Sequence, residues 1–178
     1  MWREQLGAVV RDVHVVFEPH AEFAGDGDYV GSDLAREKQP KLAIALAYDY
    51  NRNASKERGQ LGGYLTQERD LKTLFADAMF KYQGFSLMAE YADKKSSGSP
   101  VVETDVSGNV TEAFFTGTGF NIQAGYLFKN NFEVAGRYTA INPEDVTQRD
   151  DNIQYTLGLS KYLAGHTGKV QSDISLLR

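Results

Sequence analysis

The sequence predicts an all-β protein, an antiparallel up-and-down transmembrane β-barrel. Three observations predict it. Apolar and polar residues alternate with a period of two over segments of about ten residues, the length at which a tilted strand crosses a hydrocarbon core. The connections between these segments are short on one side and long on the other. Aromatic residues gather at the strand ends, where Tyr82, Phe85, Phe128 and Phe132 flank short turns like an interfacial belt.

Taken in order, Arg11 to Glu18 (RDVHVVFE) sets Val13, Val15 and Phe17 against Asp12, His14 and Glu18. A loop rich in Gly, Asp and charge follows over 19–40. Lys41 to Asn51 (KLAIALAYDYN) puts Leu42, Ile44, Leu46, Tyr48 and Tyr50 on one face and Ala43, Ala45, Ala47 and Asp49 on the other. The next connection is read as a polar loop over 52–70. Leu71 to Tyr82 and Phe85 to Lys94 alternate in the same way and meet at Gln83-Gly84, a turn short enough to specify an antiparallel hairpin. A long loop over 95–117 carries Ser-Gly, Ser-Pro and Gly-Asn turn signals, with Val101, Val102 and Val106 in a small excursion of their own. Gly119 to Phe128, Phe132 to Ala140, Asn152 to Tyr162 and Lys169 to Leu176 complete about eight strands, longer than the usual run of strand in an ordinary sheet. The whole of 1–178 reads as one region of one barrel.

Composition narrows the function classes. The chain has no cysteine, so it has no disulfide framework, thiolate metal site or cysteine nucleophile. His14, His20 and His166 show no ligand spacing, so neither metal nor cofactor is expected. A net charge of −5 argues against a nucleic-acid partner. Mean hydropathy is −0.43, and no apolar run approaches the length of a membrane helix. A strand-built membrane protein hides its apolar residues at every second position and is untouched by that test. Met1-Trp2-Arg3-Glu4 opens no signal peptide, so an exported form is read as mature or as a fragment. No phosphate loop, nucleophile elbow or paired-histidine zinc motif appears, and no enzymatic activity is expected. Asp77 and Glu90 fall on facing strands, but no nucleophile accompanies them, and they read as hydrated charges.

Two readings of the faces stand side by side. In a soluble, lipocalin-like binding barrel the apolar face turns inward. In a membrane barrel it meets lipid, and the other face lines a lumen. On the second reading Asp77, Lys81, Glu90, Glu133, Arg137, Lys169 and Asp173 line the pore, and their mixed signs leave ion pairing across neighbouring strands at least as open as a basic track for substrate.

The stretches FADAMFKYQGFSLMAEYADK (75–94), GTGFNIQAGYLFKNNFEVAGRYTAINP (117–143) and QYTLGLSKYLAGHTGKVQSDIS (154–175) resemble the C-terminal half of the phosphate-selective porin O and P family, in its Bacteroidetes-type members. DLAREKQPKLAIALAYDYN (33–51) and RGQLGGY (58–64) fit the same likeness, and AGYLFKNNFEVAGRY is its most specific part. The resemblance implies a larger barrel in the bacterial outer membrane, in contact with its lipid and commonly homotrimeric. It also implies passive diffusion of small solutes or anions such as phosphate. Family members are longer and end in an aromatic residue, whereas this chain ends Leu177-Arg178, so a fragment is expected. A structural or partner-binding outer-membrane barrel without an open pore is the alternative.

Overall fold

A computed structural model describes residues 10–17, 30–165 and 167–178. The expected loop segment 19–29, His20, His166 and the opening Met1-Trp2-Arg3-Glu4 lie outside the described residues. The strands are β1 (Val10–Phe17), β2 (Lys41–Lys56), β3 (Tyr64–Tyr82), β4 (Phe85–Ser96), β5 (Val101–Thr104), β6 (Val110–Ala113), β7 (Gly117–Leu127), β8 (Phe132–Pro143), β9 (Asn152–Ala164) and β10 (Gly168–Leu177). A short 3-10 turn covers Asp145–Thr147.

The strands form two separate sheets. The larger runs β1-β2-β3-β4-β7-β8-β9-β10 in chain order, every neighbouring pair antiparallel, and the smaller is the β5–β6 hairpin. The pairing carries one apolar row across the sheet, Leu42↔Phe80↔Leu87↔Ala124↔Gly136↔Leu157↔Ile174. A polar row three residues along is Asp77↔Glu90↔Asn121↔Thr139↔Gln154. Because side chains alternate at every residue, this register keeps one face apolar and the other polar over the full width.

The β3–β4 turn forms as its sequence demands. Gln83 has φ 50° and Gly84 φ 92°, the two positive values that a two-residue hairpin turn needs. A Cβ at Gly84 would lie 2.5 Å from the Leu127 carbonyl oxygen, so the position has room for glycine alone. At the other end, β2 and β3 run well into the region expected as loop over 52–70. Register shifts between Asn51 and Lys56 bend β2, and Asp70 holds the bend, accepting from the Asn53 amide at 2.9 Å and the Tyr50 hydroxyl at 2.6 Å. The bent strands and the β5–β6 hairpin enclose the apolar core cluster, Ala54, Leu71 and Phe114, with Leu65 and Val102 packed against it. Arg149 stacks 3.5 Å over the Phe115 ring and donates to the carbonyls of Ala113 and Phe114, tying the 3-10 turn region to the same end.

The expected closure does not occur. Among the described residues β1 and β10 are the two edges of the larger sheet, so the fold is all-β in two open sheets and not a closed transmembrane barrel. With no ring there is no enclosed channel among the described residues, and the porin reading with its passive diffusion of solutes and anions is corrected. An open edge leaves backbone N–H and C=O groups that hydrocarbon cannot satisfy. The closed barrel on which the expected outer-membrane location, lipid partnership and homotrimer rested is therefore not found among the described residues.

Candidate functional site

The site is built by a strap, residues 30–40, that crosses the polar face at its turn end. Asp33 pins it. Its buried carboxylate accepts from the Gly84 amide at 2.6 Å and from the Glu37 amide at 3.0 and 3.1 Å. The Gln83 amide donates to the Glu37 carbonyl at 2.9 Å, and the Arg36 guanidinium donates to the Leu127 carbonyl at 2.6 Å. Lys81, only 2% exposed, donates its ammonium to the Val30 carbonyl. A Cβ at Gly31 would come within 3.4 Å of both Gln123 and Met88, so the strap lies tight against the sheet.

Under the strap edge opens a cavity of about 400 Å³ between Val30–Ser32 and strands β7 to β10. Its inner wall is the buried pair Glu133 and Tyr162, the phenol donating to the carboxylate at 2.6 Å. Burial first, and then this hydrogen bond, push the Tyr162 phenol up to about 12. Gly125 makes room for Glu133, since a Cβ there would stand 2.8 Å from its Oε1. Ser32 is 6% exposed, and its hydroxyl has no hydrogen-bond partner, although it stands near enough to Tyr162 to favour the ionised phenol. The outer wall carries Gln123, Arg137, Lys169, Gln171 and Asp173. Among the described residues no ion pair or side-chain hydrogen bond engages any of these five.

The seven polar residues expected to line a pore are thus divided. Glu133, Arg137, Lys169 and Asp173 meet in the strap cavity. Lys81 is sealed beneath the strap. Asp77 and Glu90 stand opposite each other in the β3–β4 register and share a second hollow of about 380 Å³ with Phe75 and Asn121. There the Asn121 amide donates to Glu90 at 2.9 Å and accepts from the Thr139 hydroxyl at 3.0 Å. Burial, and then the neighbouring Glu90 charge, hold the Asp77 carboxyl above the usual range.

The register sets none of Asp77, Glu90, Arg137, Lys169 and Asp173 opposite a partner of the other sign. Asp77 faces Glu90, Arg137 faces Gln123 and Thr156, Lys169 faces Tyr162, and Asp173 faces Gly158. An ion pair joins Lys95 to Asp93 at 3.1 Å, both on β4. Ser32 and Tyr162 were not anticipated from the sequence. Tyr162 carried a signal, since it falls in phase with the polar Thr156, Gly158 and Ser160; Ser32 carried none, because a strap has no period.

The fold and cavity define a class, an open antiparallel sheet with a strapped polar pocket. No family model matches this chain, and no curated protein or solved structure matches it. Membership in the phosphate-selective porin O and P family, which the sequence resemblance implied, is accordingly corrected.

Proposed function

We propose that the protein is a binding module without an open pore and without a chemical step, and that it takes a small polar solute into the cavity under the strap. One observation carries this reading. Five polar side chains with no protein partner, and one buried hydroxyl with none, converge on a single cavity of about 400 Å³. The outer-wall side chains, open to solvent apart from half-buried Gln123, keep their hydration, whereas a buried hydroxyl left unsatisfied costs on the order of 1–3 kcal/mol, so a solute that reaches Ser32 supplies a missing partner.

Thermal unfolding with a panel of polar solutes tests it. A binder raises Tm by mass action. Gly158→Leu serves as the control, because a Cβ there meets neighbours at ordinary contact distances of 3.8 Å and beyond, and the rest of the side chain fills the cavity. The proposal expects at least one solute to raise the parent's Tm and Gly158→Leu to abolish the rise. A panel with no effect, or a rise that persists in Gly158→Leu, overturns it.

A further inference from the structure

The chemical class of the ligand follows from how the charges in the strap cavity are spaced, and this inference rests on the binding-module reading above. Arg137 and Lys169 supply two positive charges and Glu133 and Asp173 two negative, so the lining is balanced and has no general preference for an anion. Glu133 is already committed to the Tyr162 hydroxyl. The remaining three alternate in sign: Arg137 on β8, then Asp173 and Lys169 on β10.

The register sets their spacing. Arg137 lies across from Thr156, and Asp173 across from Gly158, two residues along β9. With strands about 4.8 Å apart and a rise of about 3.4 Å per residue, their Cα atoms are roughly 12 Å apart. Strand side chains stand roughly perpendicular to the sheet, so the two charged heads stay well apart, and among the described residues no ion pair joins them. A molecule whose carboxylate and ammonium lie roughly 4–6 Å apart, with a hydrogen bond of about 2.8 Å at each end, spans a distance of that order.

We infer that the cavity binds a zwitterion, an amino acid or short peptide, with its carboxylate on Arg137 and its ammonium on Asp173. Gln123 and Gln171 offer both donors and acceptors to a peptide group, and the Ser32 hydroxyl closes the strap side of the site. A saccharide fits less well. The aromatic ring in the lining belongs to Tyr162, which is buried, so no exposed ring face is presented for stacking.

The test is calorimetric titration of the full chain with alanyl-alanine, its N-acetyl derivative, its C-terminal amide, inorganic phosphate and sucrose. Alanyl-alanine is expected to bind, and loss of either ligand charge to weaken binding at least tenfold. In Arg137→Met the difference between free acid and amide should collapse, while the penalty for N-acetylation persists. Asp173→Asn should show the converse. Sucrose or phosphate binding as well as alanyl-alanine, with Gly158→Leu abolishing both, overturns the zwitterion and leaves the binding module standing. No binding by any of the five, together with no response from the wider solute panel, overturns both.

Discussion

The two faces of the larger sheet share the same strands and the same alternation, yet they have opposite fates. The polar face is the covered one: Lys81, Ser86, Glu133 and Ser160 are buried there, with Asp33 and Glu37 of the strap above them. The apolar face is the bare one, with Leu46 48% exposed, Leu157 58% exposed, and Tyr48, Leu74, Phe85, Tyr126 and Leu159 open beside them. Ordinary monomers rarely leave so extended an apolar surface uncovered. The difference teaches that burial in this protein is assigned by hydrogen bonding as well as by hydrophobicity. A strap of polar residues can cover a face only where its backbone and charged groups find partners, and the polar face provides them.

The largest effect should come from uncovering the polar face. Asp33→Ala leaves the Gly84 and Glu37 amides without their acceptor, and hydrogen bonds to a buried carboxylate contribute about 1.5–3 kcal/mol each. A loss of about 3 kcal/mol in urea unfolding is expected, together with loss of solute binding; a change under 0.5 kcal/mol would show that the strap is not pinned there.

A smaller effect should follow at the inner wall of the pocket. Tyr162→Phe removes the donor to buried Glu133 and should cost about 1–2 kcal/mol at neutral pH. Its pH dependence has a definite sign. The folded-state phenol titrates near 12 rather than 10, so its contribution is full below pH 10 and is lost as pH rises toward 12. The stability gap between parent and Tyr162→Phe should therefore narrow across that window. A gap independent of pH would break the assignment.

The smallest effect on stability should come from the bare face. Leu46→Lys and Leu157→Lys replace side chains that remain about half exposed, so unfolding should shift by no more than about 0.5 kcal/mol. Binding of a hydrophobic dye such as anilinonaphthalene sulfonate should fall at the same time. A large loss of stability in either variant would mean that this face is covered after all.

Much of the larger sheet was legible in the sequence because period two is a local signal. The phases of Leu74–Tyr82, Phe85–Tyr91 and Phe120–Phe128 follow from neighbours in the chain, and so does the Gln83-Gly84 turn. Where the period is interrupted the reading stopped short. The bend held by Asp70 hid the continuation of β2 and β3 across 52–56 and 64–70, and the small excursion expected within 95–117 showed Val101 and Val102 without the β6 partner of their strand. Closure was not legible, because it depends on whether β1 and β10 meet, and no residue of either strand states that. Partnership across strands was equally hidden. A shift of one residue in register decides whether Asp77 meets a cation or, as here, Glu90. Within the site, Glu133, Arg137, Lys169 and Asp173 were found by their phase on the polar face, whereas Ser32 entered through tertiary contact alone.

The Asp33–Gly84 link also orders events in time. Its two ends are 51 residues apart in the chain, while the turn that presents the Gly84 amide is made by strands adjacent in sequence. Closing the longer loop costs more entropy and gains nothing until the turn exists to receive it. In refolding followed by pulsed amide exchange, the cross-strand amides of β3 and β4 should gain protection before the Gly84 amide does. The sheet is then assembled before its binding site is, and a chain caught between the two stages has every strand in register and nowhere to hold a ligand.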